Sequence, residues 1–435
     1  MTPQTARYHA PRVRPDPPRT GSSHTYHVGI QRSTWTSGVL YTHGSALSPL
    51  LALNAPLWLN DYFFFPEFAR LQTATVIYFA ARGIKRYSLA SGMNTRMDIH
   101  FTPSVYEHAA ALIGETPWRV SRDPECLFRA HVEAFRRYRH SPVVVGIDIY
   151  NLEAEAYGAT IATPADNDIP SICVHPCPTS DDIVRLNVLD PKGAGRIPMV
   201  IETGRRLARA LPDADIRIPV SGPFSLACNL VGFDRLLCDV IDEPLTVRRA
   251  LDHLARGQIA FAREIASQGL GIALFESGAT PPLISPEMFA QIELPVLKHV
   301  IQEISSLAGH PVPCIIGGDT FPVLESILDT GTGYVICPSE TDQASFMRHM
   351  AAYPDVMVRL NTDPSVFVAG DPAAVRRELN RVLSLAGTRR NVCIGTGALP
   401  FEADPKLVLM AEMLLRESGP SRDGHSNPPV CVQRF

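Results

Sequence analysis

Short apolar runs alternate with helical segments along most of this chain, and that alternation limits its fold more than any other feature. The runs lack the polar residue at every second position that marks a half-exposed strand, so both faces of their sheet should be buried. Strands separated by helices indicate βαβ units and a parallel sheet. Seven strands are expected, at Ser141–Asp148, Ile216–Ser221, Gly271–Glu276, Val312–Ile316, Gly333–Cys337, Val356–Leu360 and Val392–Gly395.

A closed (β/α)8 TIM barrel is the favoured arrangement, and an open doubly wound sheet is the second. Closure needs an eighth strand, which we expect near Ala159–Ala162. No G-x-G-x-x-G segment follows the first expected strand and no P-loop is present, which counts against a nucleotide-binding sheet. In a barrel, the residues at the carboxyl ends of the strands form the functional face.

The two ends of the chain differ in composition from the part between them. Residues 1–92 hold nine basic and three acidic residues, whereas the whole chain has a formal net charge of -4. We expect residues 1–92 to be a largely disordered extension or to lie outside the fold, with Met93 or Met97 as the true start. Residues 93–416 should form the barrel, and residues 417–435 a disordered tail.

Composition also limits which partners the protein can bind and in which cellular compartment it can lie. The net charge gives no sign of nucleic-acid binding, and the uncharged run Ser33–Asn60 contains two prolines, which argues against a membrane helix. Nine cysteines without regular spacing, and no convincing signal peptide, predict reduced thiols in a cytoplasmic protein.

The strand ends supply the candidate site. The segment after the first expected strand holds Asp148, Tyr150 and Asn151, and a carboxylate at a barrel mouth is costly unless it binds something. Asp148 and Glu276, each at a strand end, are therefore the candidate catalytic residues. Turn and strand-end positions provide candidate substrate-binding residues: Tyr150, Asn151, Gly222, Pro223, Gly317, Gly318, Asp319, Asn361 and Thr396.

Only weak candidates for metal binding are present. Cys173, His175 and Cys177 alternate in an extended segment, so all three could project on one face. Ordinary zinc sites use wider spacing and no fourth ligand is evident, so coincidence in a surface loop is favoured. Cys314 is a further weak candidate, and we predict no metal or cofactor.

Seven segments, taken in order, resemble the uroporphyrinogen decarboxylase superfamily, which also contains cobalamin-dependent methyltransferases that pass a methyl group to a thiol. They are GIDIYNLEAEAYG from Gly146, Arg196-Ile197-Pro198, VSGPFSLA, LISPEMF, GGDT with VLESILDTGTGYV, LNTDPSVFVAGDP and GTGALP. The resemblance implies a (β/α)8 barrel over nearly all of residues 93–435. It also implies that Asp148 corresponds to the carboxylate that binds pyrrole N–H groups in the decarboxylases.

The sequence also departs from the family patterns at several positions, and these departures are as informative as the matches. The arginine-rich segment that holds substrate carboxylates in the decarboxylases is not found, and Thr396 stands where they carry a histidine. The methyltransferases bind zinc through residues that align with Ile315, Gly317 and Gly397, none of which is a ligand. Cys314 lies one residue away. The D-x-YN-x-EAEA form of the first motif nevertheless resembles the methyltransferase branch.

Three functions remain open from the sequence. The first is cofactor-free decarboxylation of a tetrapyrrole-type or related acidic substrate bound around Asp148, in which a protonated pyrrole takes up electrons. The second is methyl transfer with a corrinoid protein as partner, using a nonstandard metal or none where the relatives hold zinc; zinc and corrinoid are the alternative cofactors. The third is a non-catalytic ligand-binding barrel. The family often forms dimers, so a homodimer is possible.

Overall fold

The computed structural model describes residues 99–418, with main chain only at the last of these. The expectations for residues 1–92 and for nearly all of the 417–435 tail therefore lie outside the described residues. The described residues form ten strands: β1 (His100–Ser104), β2 (Val143–Val144), β3 (Thr160–Ala162), β4 (Ser171–Val174), β5 (Ile216–Ser221), β6 (Gly271–Phe275), β7 (Cys314–Ile315), β8 (Tyr334–Cys337), β9 (Met357–Asn361) and β10 (Val392–Ala398).

Helices fill the intervals between the strands. They are α1 (Glu107–Leu112), α2 (Pro117–Arg122), α3 (Pro124–Tyr138), α4 (Asn151–Ala156), α5 (Ser180–Ile183), α6 (Ile197–Ala210), α7 (Pro223–Val231), α8 (Phe233–Asp242), α9 (Pro244–Ser267), α10 (Pro286–Met288), α11 (Leu294–Ala308), α12 (Leu324–Asp329), α13 (Gln343–His349), α14 (Pro372–Ala386) and α15 (Pro405–Ser418). A π-helical turn, Phe289–Glu293, joins α10 to α11. Short 3-10 turns cover Phe321–Val323, Met350–Ala352 and Pro364–Phe367.

Eight parallel strands form the barrel wall in two hydrogen-bonded halves. One half has the order β1-β10-β9-β8 and the other β2-β5-β6-β7. Between β7 and β8, the Thr332 hydroxyl accepts from Cys314 N–H at 3.2 Å and donates to the Val312 carbonyl at 3.0 Å. The predicted (β/α)8 barrel is confirmed.

The position expected for the eighth strand is wrong. Thr160–Ala162 pairs antiparallel with Ser171–Val174 in a separate hairpin. The eighth barrel strand is β1, which pairs with β10 and has no backbone partner on its β2 side among the described residues. Proline is tolerated on such an edge because it has no N–H to donate, which explains why the unlikely sequence HFTPS, with Pro103, forms a strand.

Side chains alternate between two apolar compartments along each strand. The larger cluster fills the space between the wall and the helices and includes Ile218, Leu274 and Val358. The smaller cluster lines the lumen and includes Ala273, Phe275 and Ile315. Strands buried on both faces account for the continuous apolar runs in the sequence.

Candidate functional site

Aromatic rings line the lumen where the strands end. Tyr106 and Tyr150 each pack edge-on against Phe275, with ring centroids 6.2 Å apart and planes at 79° and 84°. Ile315 and Tyr334 belong to the same lumen cluster. The lining at the carboxyl ends of the strands is thus mainly apolar, and its polar atoms are few and fixed, as in small-molecule sites.

Two hydroxyl groups meet at this mouth. Tyr150 Oη lies 2.7 Å from Ser277 Oγ, which also accepts the Gly317 N–H at 3.1 Å. The two hydroxyls hold two hydrogens and their mutual bond uses one, so one O–H remains for a ligand. Burial raises the pKa of Tyr150 well above its usual value of 10.0, so the phenol stays protonated at neutral pH.

The loop that carries Ser277 is fixed from behind the barrel wall. Ser225 Oγ accepts the N–H groups of Ser277 at 3.1 Å and Gly278 at 2.9 Å, and it donates to Glu276 Oε1 at 2.5 Å. Ser225 lies in the first turn of α7. The hydroxyl pair therefore stands on a hydrogen-bonded support and is positioned before any ligand arrives.

Glu276 lies behind the wall, because the preceding residue, Phe275, points into the lumen. Its carboxylate is fully buried and accepts N–H groups of Phe224, Ser225 and Gly278 at 3.0–3.1 Å. Burial is the main factor that raises its pKa. The predicted catalytic role of Glu276 stays a prediction, and its contacts are those of a residue that organises the α7 start and the Ser277 loop.

A second carboxyl group, Glu293, is buried beside Glu276 in the π-helical turn. Glu276 is the side chain within hydrogen-bond reach of Glu293, and no other hydrogen-bond partner of its oxygens is found among the described residues. Burial, and then the charge of Glu276, raise its pKa well above 4.5. Two adjacent buried carboxyls cannot both be charged cheaply, so we expect at least one to stay protonated at neutral pH.

Gly222, the glycine predicted at the turn after β5, leaves space for the buried side chain of Glu276. A Cβ on Gly222 would lie 2.6 Å from Glu276 Cβ and 2.7 Å from its Cδ. Pro223 is the first residue of α7 and is buried. The absence of a side chain at Gly222 thus makes room for Glu276, and the ligand roles predicted for Gly222 and Pro223 stay predictions.

Asp148 also lies outside the lumen. Gly146, with φ of +150°, interrupts the in-and-out alternation after β2. Asp148 then faces a small cavity shared with Val145, Ile147 and Arg196, and Ile149 joins the lumen cluster. A carboxylate expected at the barrel centre is therefore found between the wall and the helices.

The Asp148 carboxylate is held by a bidentate ion pair. Arg196 Nη1 and Nη2 donate to its two oxygens at 2.9 and 2.7 Å, and Asn151 Nδ2 adds a 3.3 Å contact. Arg196 also pairs with Glu155, which in turn accepts from Arg122 at 2.8 Å. The carboxylate has few sites left for substrate N–H groups, and its predicted substrate role remains untested.

Asn151 holds neighbouring backbone. Its amide donates to the Pro170 carbonyl at 2.5 Å, which ties α4 to the segment before β4. Asn229 Nδ2 donates to the Tyr150 carbonyl at 2.7 Å. These bonds fix the backbone that carries the Tyr150 phenol.

Gly317 and Gly318, which follow β7, lack side chains and so let the loop after β6 lie close to the main chain. A Cβ on Gly317 would lie 3.3 Å from Ser277 Oγ, and one on Gly318, where φ is +82°, would lie 2.8 Å from Thr280 Oγ1. Asp319 accepts a 2.7 Å hydrogen bond from Thr341. A ligand contact at these three positions stays a prediction, apart from the Gly317 N–H already described.

Arg359 is a lumen residue that the sequence reasoning missed. It lies on β9, is 7% exposed, and forms no ion pair with a carboxylate in the described part of the chain. Its Nε donates to Asn361 Oδ1 at 3.1 Å, which gives the predicted residue Asn361 a place in the lumen. An arginine inside the apolar run VMVRL was the available signal, because buried charge is rare without a function.

Thr396 lies on β10 with its hydroxyl bound to main-chain groups. Its Oγ1 accepts the Ser104 N–H at 3.1 Å and donates to the Gly397 carbonyl at 2.8 Å, and the residue is fully buried. These bonds tie β10 to the end of β1, the edge strand. The substrate-binding role predicted for Thr396 remains untested.

The weak metal candidates are dispersed. Cys173 is exposed, Cys177 is buried, and His175 Nδ1 lies 2.9 Å from the Asn229 carbonyl. Cys314 is buried on the outer side of the wall, in the larger core cluster. Within residues 99–418, no group of three His, Cys, Asp or Glu side chains could hold a metal ion.

The zinc site of the resembling methyltransferases does not fit this chain. Ile315 lines the lumen and Gly317 contacts Ser277, so neither position supplies a ligand. Gly397, at the third position, has φ of +66° and lies against Pro364. No step of a mechanism is therefore derived through zinc.

Among the described helices, none is both long and apolar enough to cross a membrane.

Comparison with known proteins places the chain in a family. The family described as "Uroporphyrinogen decarboxylase (URO-D)" matches residues 101–407. A methyltransferase from Methanosarcina mazei has a similar structure, with a TM-score of 0.63 and 20% identity over 75% of this chain and 95% of its own. A B12-independent methionine synthase from a Shewanella species gives a TM-score of 0.47, with 10% identity over 74% and 98% of the two chains. None of the curated proteins matches. The chain belongs to the uroporphyrinogen decarboxylase family.

Proposed function

We propose that this protein is a decarboxylase that acts on an acidic substrate at the barrel mouth. The observation that carries the proposal is the Tyr150–Ser277 hydroxyl pair, which keeps one O–H for a ligand. It lies at the carboxyl ends of the strands, where barrel enzymes place their chemistry. Membership of the family supports this class of reaction.

Decarboxylation leaves an electron pair on carbon that must be taken up and then protonated. The bond between that carbon and the carboxylate breaks, CO2 departs, and the electrons pass into a pyrrole, carbonyl or similar group of the substrate. The Tyr150–Ser277 pair then supplies a proton to the carbon, directly or through one water, and regains it from solvent. The apolar walls formed by Tyr106, Phe275 and Ile315 favour loss of the charged carboxylate as neutral CO2.

The test is CO2 release from a panel of acids that includes uroporphyrinogen and smaller carboxylic acids. Tyr150→Phe removes only the phenol oxygen and keeps the ring against Phe275, so kcat should fall by about 10²-fold with the fold intact. Tyr353→Phe is the matched control, because Tyr353 hydrogen-bonds to Glu325 outside the lumen. Equal turnover by Tyr150→Phe and wild type contradicts the proposal.

A second candidate is corrinoid-linked methyl transfer, favoured by the DIYNLEAEA motif of the methyltransferase branch. The positions of the usual zinc ligands do not support it. Methyl transfer from methylcobalamin to a thiol, followed by the cobalamin absorbance, tests it directly. Methyl transfer at a rate above background, with no CO2 release from the acid panel, would favour this function over decarboxylation.

A further inference from the structure

A small cavity inside the barrel lies beside the gap between β1 and β2. Its volume is about 20 Å³. Its polar lining comes from five elements or loops and includes Thr102, His140, Arg217, Tyr334 and Arg359. Tyr106, which packs on Phe275, also lines it, whereas Ser141, Pro142 and Pro313 place it toward the amino ends of β2 and β7.

The cavity carries one positive charge that no carboxylate within residues 99–418 balances. Arg217 donates twice to Asp215, at 2.6 and 2.9 Å, so that pair is neutral overall. Among the described residues, Arg359 has only the neutral amide of Asn361 as a hydrogen-bond acceptor. A buried cation without a counter-charge is costly, and an anionic ligand would remove the cost.

The other lining groups suit an acceptor-rich ligand. His140 is 2% exposed and its Nδ1 has no hydrogen-bond partner among the described residues. Burial lowers the pKa of His140 to about 3, so the ring is neutral and one of its nitrogens carries a hydrogen. The guanidinium of Arg359 can donate two parallel hydrogen bonds to a planar carboxylate.

We propose that this cavity binds a single carboxylate group of the ligand through Arg359. One unbalanced charge matches one carboxylate. Calling the ligand the substrate rests on the proposed function, whereas the carboxylate site itself does not.

The test uses acetate as the probe, with binding to the full chain followed by saturation-transfer NMR. Wild type should bind acetate, and Arg359→Met should weaken binding at least tenfold. Arg359→Lys keeps the charge but loses the paired donors, so it should retain only part of the affinity. Arg376→Met, which removes an exposed arginine on α14, is the matched control and should bind as wild type does.

Folding of the variants is checked by thermal melting without acetate. Arg359→Met should not lower the melting temperature, because it removes a charge that has no carboxylate partner. A second variant, Gly395→Ala, keeps the charge but places a Cβ 2.9 Å from Arg359 Cγ and Cδ, and it should also weaken acetate binding. If either Arg359→Met or Gly395→Ala fails to fold, the other variant still tests the acetate site.

Two results overturn the carboxylate site. One is acetate binding that is unchanged in both Arg359→Met and Gly395→Ala. The other is inorganic phosphate that binds in preference to acetate and depends on Arg359, which would assign the cavity to a different anion. Since acetate binding is measured without turnover, a missing decarboxylase activity with intact acetate binding refutes only the proposed function.

Discussion

Replacing Asp148 with asparagine changes few atoms, but we expect it to lower the stability of the protein substantially. Asp148 is 4% exposed and receives both Nη groups of Arg196, whose side chain is only 11% exposed. The change keeps the shape but leaves the guanidinium with Glu155 as its remaining carboxylate partner. Breaking a buried pair on one side costs about 3 kcal/mol, and for a domain of this size that lowers Tm by roughly 6 °C.

A double-mutant cycle with Arg196→Met separates this pair from other effects. Arg196→Met leaves the buried Asp148 carboxylate without a cation, and Asp148→Asn leaves Arg196 with one carboxylate instead of two. The double variant should therefore cost less than the sum of the singles by about 2 kcal/mol. Urea unfolding at pH 7 gives all four free energies. Asp181→Asn is the control, because its pair with Arg185 is solvent-exposed and should be worth about 0.5 kcal/mol or less.

The same variants address the role of Asp148 in the reaction. With its carboxylate bound to Arg196 behind the wall, turnover per folded molecule of Asp148→Asn should fall less than tenfold. An unchanged unfolding free energy together with abolished turnover refutes this reasoning. It would instead make Asp148 the substrate-binding carboxylate that the resemblance implies.

The remaining predictions concern the groups behind the wall. Burial raises the pKa of Glu153 from 4.5 to about 7, so the folded state holds a proton that the unfolded state loses, and stability falls as pH rises between these values. Glu153→Gln should therefore gain about 3 kcal/mol over wild type at pH 8 and almost nothing near pH 4, and an equal gain at both pH values in urea unfolding contradicts it. Gly222→Ala forces a Cβ into Glu276 and should cost about 2 kcal/mol or more, whereas an unchanged Tm shows that Glu276 can move.

The barrel could be predicted because apolar runs and the helical spacing of apolar residues show which residues are buried. Both patterns are visible within short stretches of the sequence. The strand β1 was not, since HFTPS has neither feature and owes its conformation to pairing with β10. Thr160–Ala162 has strand-like residues but finds its partner in the adjacent β4. Which strands pair depends on the whole assembled sheet, so the sequence of one segment does not determine its partner.

Site residues were harder to predict for a related reason. Asp148 follows the first strand as expected, but the backbone at Gly146 turns it out of the lumen. Tyr150 was named, whereas Ser277, which meets it across the mouth, is 127 positions away in the chain. Arg359 could have been noticed as a charge within an apolar strand, but its missing counter-charge is visible only in three dimensions.

The most direct test of the central claim is decarboxylation in D2O, with CO2 and product analysed together. The account predicts one deuterium at the carbon that lost CO2 for each CO2 released, at a rate reduced about 10²-fold in Tyr150→Phe. Product formation without CO2 would contradict the account, as would a Tyr150→Phe rate equal to that of wild type.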